Sequence, residues 1–278
     1  AAGSAAEEAG LPFVREAFLD PSILATKVDV PKAPKIASAA SAVWLQVLAR
    51  LDVCGILWLA CERELPRGFS GEDLKSGLFA VGKDDGTLRT ILNRVLRNAI
   101  EESRDGVTPT FPHGSTLAEI FLEECEKLRI SVDDLPDFYH TIEVSPARAR
   151  SNVFGPPLRY SDVAHLAAGR RFVKRLRQEG RSLPEGCFYV RALQKTLPMG
   201  DRNATCFAEL GHLGVLDAAG ALDRDALVSY HSPPPRDDLW QFVMIDDHIL
   251  IQATDTASRH NGRDVELRDD IILQRSEE

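Results

Sequence analysis

Five cysteines, Cys54, Cys61, Cys125, Cys187 and Cys206, are odd in number and scattered, with no Cys-x-x-Cys pair. That excludes a disulfide framework, lends no support to a zinc site, and points to a reducing compartment, cytoplasmic or nuclear. Long apolar runs are also lacking. The longest, Ala42 to Cys61, is broken by Gln46, Arg50 and Asp52, so no membrane-spanning helix is expected. The N-terminus has no basic segment followed by an apolar run, as a secretory signal requires. It has no initiator Met, and the chain is read as a piece of a longer one. There is no Gly-x-x-x-x-Gly-Lys-[Ser/Thr] loop, so a P-loop nucleotidase is not supported. No Gly-x-Ser-x-Gly elbow is present, so hydrolase chemistry is set aside. No internal repeat is found.

What is there is ordinary globular protein. The 278 residues are 44% hydrophobic and 27% charged, enough for one large domain or two small ones with a sizeable core. A net charge of −9 taken alone counts against a nucleic-acid partner. The charge is uneven, however. Ser145 to Gly200 holds eleven Arg and Lys against three acids, a local +8 that leaves −17 for the rest. Counterion release depends on local contacts, so this segment can serve as a phosphate-binding surface; its bland reading is a solvated helix face.

Along the chain, residues 1–35 read as a disordered or extended tail broken by Pro21, Pro31 and Pro34. Ile36 to Cys61 fits one or two helices, with Val43, Val47, Leu48, Leu51, Leu57 and Cys61 at helical spacings. Gly77–Val81 and Leu88–Leu92 flank a turn at Lys83–Gly86, a hairpin signature. Thr116 to Glu119 has capping-box spacing and predicts a helix to about Leu128. Ile130 and Val132 read as a half-buried strand, Ile142 and Val144 as another, Phe188–Leu193 as a third. Arg170–Arg177 is a basic helical stretch, and a second helix is expected from Asn203 to Leu216. Phe242 to Ile251 places two apolar runs around Asp246-Asp247, a tight hairpin. Without a βαβ rhythm, the class is α+β.

Asp-Asp at a turn is ordinary turn chemistry. Here the flanking strands read as buried, and two acids there are costly unless something positive compensates them. A divalent cation is the simplest candidate. Asp133-Asp134 closes another predicted strand, where the bland reading is a polar strand end. Were the two strands neighbours, Asp134 and Asp246 could share a pair of metals about 4 Å apart, as in-line phosphoryl transfer requires. His140 and His248 lie beside the acids and rank lower as ligands.

Four segments carry a resemblance. They are Asp134-Leu135-Pro136-Asp137-Phe138-Tyr139, Leu197-Pro198-Met199-Gly200, Met244-Ile245-Asp246-Asp247, and Phe79 to Lys83 continuing through Gly86 to Arg89-Thr90-Ile91-Leu92. In character and order they resemble the first catalytic motif, the Leu-Pro-Gln-Gly motif, the aromatic-x-Asp-Asp hairpin and the fingers hairpin of a retroelement reverse transcriptase. The resemblance covers roughly residues 75 to 255. It implies an α+β polymerase palm, an antiparallel sheet packed on helices, with partial fingers. The helical N-terminal part and fingers would be 36–132, and the palm 133–278 with an inserted basic segment near 150–186. It implies RNA-directed DNA synthesis with two Mg²⁺, or Mn²⁺ in their place, a primed RNA or DNA template and dNTP. Asp134, Asp246 and Asp247 would be catalytic and hold metal. Lys83 and Arg89 would hold the triphosphate, Tyr139 would act as a steric gate against ribose, and Met199 and Gly200 would lie near the nascent pair. Arg170, Arg171, Lys174, Arg175 and Arg177 would touch nucleic-acid phosphates.

The chain also departs from that family. Met199 stands where Gln is usual, Met244 where an aromatic is usual, and Asn93 and Val95 where Asp and Arg are usual. Only 31 residues follow Asp247, so the primer grip and thumb are expected to be absent, as is an RNase H domain. Three rivals stay open: a decayed palm serving as a metal-binding or interaction module, an RNA-dependent RNA polymerase palm, and a plain α+β domain whose acids are turn chemistry.

Overall fold

The computed structural model describes residues 14–31, 40–84, 86–104, 111–182, 189–230, 233–236 and 238–255. Parts of the expected tail, Asp85 of the expected turn and Phe188 lie outside them. The chain divides into two compact units, one from 12–103 and 139–204, the other from 104–138 and 205–278. The position 132/133, expected as a boundary, falls inside the second of these units. The class is mixed α and β, and every sheet is antiparallel. No helix among the described residues is long and apolar enough to cross a membrane.

In the unit built from 12–103 and 139–204, strands β1 (Leu57–Cys61), β6 (Tyr189–Gln194) and β5 (Val153–Arg159) form a sheet in the order β1-β6-β5. Helices α1 (Ser41–Val53) and α4 (Ala167–Gln178) pack on it through Leu48, Phe172 and Leu176, which meet Leu57, Leu59 and Val190. Leu57–Cys61, expected as helix, is a strand: its apolar residues pair in register with Val190–Gln194, and that pairing outweighs a helical spacing. The hairpin of β2 (Gly77–Gly82) and β3 (Leu88–Asn93) forms as expected. Residues 14–31, expected as tail, are structured. Residues 14–19 are helical, Ala17 and Leu24 are fully buried, and Ala25 bridges to Glu101.

A buried ion network ties this unit together. Helix α2 (Val95–Ile100) is flanked by Arg94 and Glu101, and Arg148 projects from α3 (Pro146–Ser151). Arg94 and Arg97 reach Glu101 at 3.2 and 2.7 Å, Arg148 reaches Asp201 at 2.9 Å, and Arg94 also pairs with Asp201. Arg148 further donates to the Phe18 and Ala17 carbonyls, which fastens the N-terminal helical turns.

The other unit holds the acids. Strand β4 (Glu126–Asp134), β8 (Asp247–Asp255) and β7 (Leu239–Met244) form a sheet in the order β4-β8-β7. The helix expected from Thr116 to Leu128 is a 3₁₀ turn, Gly114–Glu119, followed by β4. The side chain that accepts at its start is His113, from the Ser115 N–H. Helix α5 (Ala204–Ala218) covers one face of the sheet, where Leu213 and Leu216 meet Leu239, Val243 and Leu250. The opposite face packs Trp240, Phe242 and Ile251 on Val228 and Ile120. Only β4 departs from the expected pattern. Its Ile130 and Val132 lie on that second face at 57% and 59% exposure, while Asp133 faces the α5 side.

Candidate active site

Register brings the two acidic segments together. Asp134, the last residue of β4, is the direct partner of Asp247, the first of β8. One residue on, the Leu135 N–H donates to the Asp246 carbonyl at 3.0 Å. Directly opposed residues point to the same face, so Asp134 and Asp247 share the face that α5 leaves uncovered, and Asp133 with His248 share the other. The three carboxylates expected at the site thus converge on one sheet edge, with Asp246 in the turn between β7 and β8.

Their charges are coupled. Partial burial, then the neighbouring Asp246 and Asp134, hold the Asp247 carboxyl above its ordinary value; His212 works against this. The donors are hard oxygens and the local charge is negative, which fits a divalent cation. Among the described residues, no group of three or more His, Cys, Asp or Glu side chains stands ready to hold a metal ion. Substrate phosphates and water would have to complete the shell, as is usual for Mg²⁺.

The hairpin tip is strained. Ile245 has φ +61°, a left-handed conformation that costs a β-branched residue about 1–2 kcal/mol and that two-residue hairpins usually give to Gly. Two side chains of α5 meet it. Glu209 accepts from the Ile245 N–H at 2.7 Å, and His212 Nδ1 donates to the Ile245 carbonyl at 2.9 Å. Both are buried, at 0% and 2% exposure. Burial lifts the Glu209 carboxyl to about 7, partly offset by the Ile245 N–H. Burial also lowers His212, against its bond to Ile245 and the negative charges nearby. His248 lies beneath: Gln241 donates to its Nε2 at 2.7 Å, Asp133 faces its Nδ1 at 3.7 Å, and burial depresses it to about 4. It is neutral and structural. Sequence reading missed Glu209 and His212; the available signal was a Glu-x-x-His pair on one face of an otherwise apolar helix.

The remaining expected residues belong to the other unit. Lys83 sits in the turn of the β2–β3 hairpin, its N–H bonded to the Thr87 carbonyl, and Arg89 is exposed on β3. Tyr139 is half-buried. Gly200 has φ +122°, and a Cβ there would lie 2.2 Å from the Leu92 carbonyl oxygen. Its close approach within the chain is to β3. The Met199 carbonyl and the Gly200 carbonyl also accept from Leu92 and Asn98, so the Leu-Pro-Met-Gly segment is tied to β3 and α2.

The basic helix α4 splits into two faces. Arg171 pairs with Asp52, and Arg175 with Glu64, both across to neighbouring elements of the same unit. These two, expected at nucleic-acid phosphates, are engaged in holding the fold. Arg170, Lys174 and Arg177 lie on the other face, where with Tyr160 they line an open cavity of about 520 Å³. The chain matches no family model and no curated protein.

Proposed function

We propose that this protein performs template-directed DNA synthesis, as an RNA-directed DNA polymerase of the retroelement type. The observation that carries the reading is the register pairing of Asp134 with Asp247, with Asp246 at the adjoining tip and all three at one sheet edge. Sequence order and sheet order agree: the strand of the first motif lies beside the second strand of the Asp-Asp hairpin.

In this reading Asp134 and Asp246 hold the two divalent ions, and Asp247 supports them electrostatically. The ions supply activation of the primer 3′-hydroxyl and neutralisation of phosphate charge. The chain's own part is positioning. The carboxylates fix where reaction occurs, and Lys83 and Arg89 offer long cationic side chains to a triphosphate. The Tyr139 ring rejects a ribose 2′-hydroxyl. Arg170, Lys174 and Arg177 bind backbone phosphates without reading sequence.

Primer extension on an RNA template with a DNA primer tests this, using the full chain in Mg²⁺ and in Mn²⁺. Template-dependent incorporation of dNTP that disappears in Asp246→Asn is expected. Incorporation indifferent to Asp246→Asn, or none in either metal, overturns the reading in favour of a binding module. A preference for ribonucleotides makes it an RNA polymerase instead.

A further inference from the structure

We infer that Glu209 and His212 form a two-point clamp that holds the Ile245 turn in its strained conformation and thereby positions Asp246. This rests on the polymerase reading of the acidic edge.

The geometry is specific. A turn residue in a left-handed conformation tends to relax unless its surroundings over-determine it. A β-branched residue is an outlier in that conformation, and the hairpin has only two turn residues to absorb it. Its two peptide groups are the ones that must rotate if φ relaxes. Each is held by a different buried side chain, the N–H by Glu209 and the carbonyl by His212. The two residues are three apart on α5, so they present to the turn from one helix face. The helix itself is anchored under the sheet through Leu213 and Leu216. The tip is thus registered to the core and not only to its own strands.

The polarity of each contact matters as well. Glu209 serves as an acceptor toward Ile245, and its second oxygen has no hydrogen-bond partner among the described residues. A buried, half-satisfied carboxyl is an expensive choice for mere packing, where an apolar residue would do better. His212 must carry its proton on Nδ1 to donate to the carbonyl. Asp246 follows Ile245 directly, so a relaxed turn would swing its carboxylate away from Asp134. These are positioning residues: they act on Asp246 through the backbone of Ile245.

Two readouts on the full chain test the clamp. The first is hydrogen exchange at the Ile245 amide, followed by NMR. Loss of one buried hydrogen bond in Glu209→Ala is expected to speed this exchange about 10-fold, while Glu209→Gln, which keeps an acceptor, preserves it. The second is Mn²⁺ binding followed by electron paramagnetic resonance. Glu209→Ala and His212→Ala are expected to bind Mn²⁺ about 10-fold or more weakly, with Glu209→Gln and His212→Asn restoring most of the affinity. A folded Glu209→Ala protein with unchanged Ile245 exchange and unchanged Mn²⁺ affinity overturns the clamp. If Glu209→Ala does not fold, His212→Ala against His212→Asn decides by the same measurements. If the wild type binds no Mn²⁺ in a manner that Asp134→Asn or Asp246→Asn abolishes, the polymerase reading fails, and Ile245 exchange still decides whether the clamp exists.

Discussion

Gly200 and Glu209 carry the sharpest consequences of single side chains. At Gly200 both the left-handed φ and the Leu92 carbonyl oppose a Cβ. Gly200→Ala is therefore expected to destabilise by about 2–4 kcal/mol, read as a lower urea midpoint with unchanged slope. A change below the measurement error would show that β3 can retreat. Glu209 makes stability depend on pH. Its folded value of about 7 exceeds the ordinary 4.5, so its contribution is complete below about pH 4.5 and is lost as pH rises through 7. His248 acts in the opposite sense: depressed to about 4 from 6.5, its contribution is complete above about 6.5 and is lost as pH falls toward 4. Above pH 6.5 the His248 contribution no longer changes, so it does not obscure that of Glu209. In metal-free buffer, urea unfolding should give Glu209→Gln and the wild type similar stabilities at pH 5 and separate them by pH 8, the wild type less stable by up to about 3 kcal/mol. Parallel curves would show that Glu209 does not titrate in that range.

At the scale of elements, much was legible and the failures share a cause. The two hairpins, α4 and α5 were readable because each combines a period with a punctuating turn or charge pattern. Leu57–Cys61 and Glu126–Leu128 misled because their partners are remote: β1 pairs with β6 and β4 with β8, each more than a hundred residues later. No local window contains that information. The convergence of Asp134 with Asp246 and Asp247 was readable as a hypothesis from motif order. The Glu209–His212 pair was not, because its meaning depends on the unusual φ of Ile245. Interactions between elements give further tests. Asp52 on α1 accepts from the Ala167 and Ala168 N–H groups at the start of α4, so it serves as that helix's cap from outside. Asp52→Ala should cost about 1–2 kcal/mol and release Arg171. Asp201→Asn, which leaves Arg148 buried without its carboxylate and Arg94 with Glu101 alone, should cost about 3–5 kcal/mol. Thermal or urea unfolding of each variant checks both, and a smaller loss at Asp201 than at Asp52 would mean that water enters the network.

For the molecule as a whole, the uneven charge has a measurable signature. A chain of −9 repels nucleic acid on average, so the nucleic-acid binding that the proposed function requires would have to come from a local cationic surface such as the exposed face of α4. Lys174→Glu with Arg177→Glu should weaken binding to any sequence alike and flatten the salt dependence by about 2 in the log–log slope. An unchanged slope would place the phosphate contacts elsewhere. A different consequence follows from β8 being the central strand of the acidic sheet. Among the described residues it is also the last strand in chain order, with more than a hundred residues separating it from β4. On a ribosome, Asp134 emerges early and waits beside an open strand edge until Asp247 arrives. Loop closure of that length is slow, and the exposed Ile130 and Val132 are free to pair wrongly in the interval. Among the described residues the acidic edge is thus the last part of the fold to be completed.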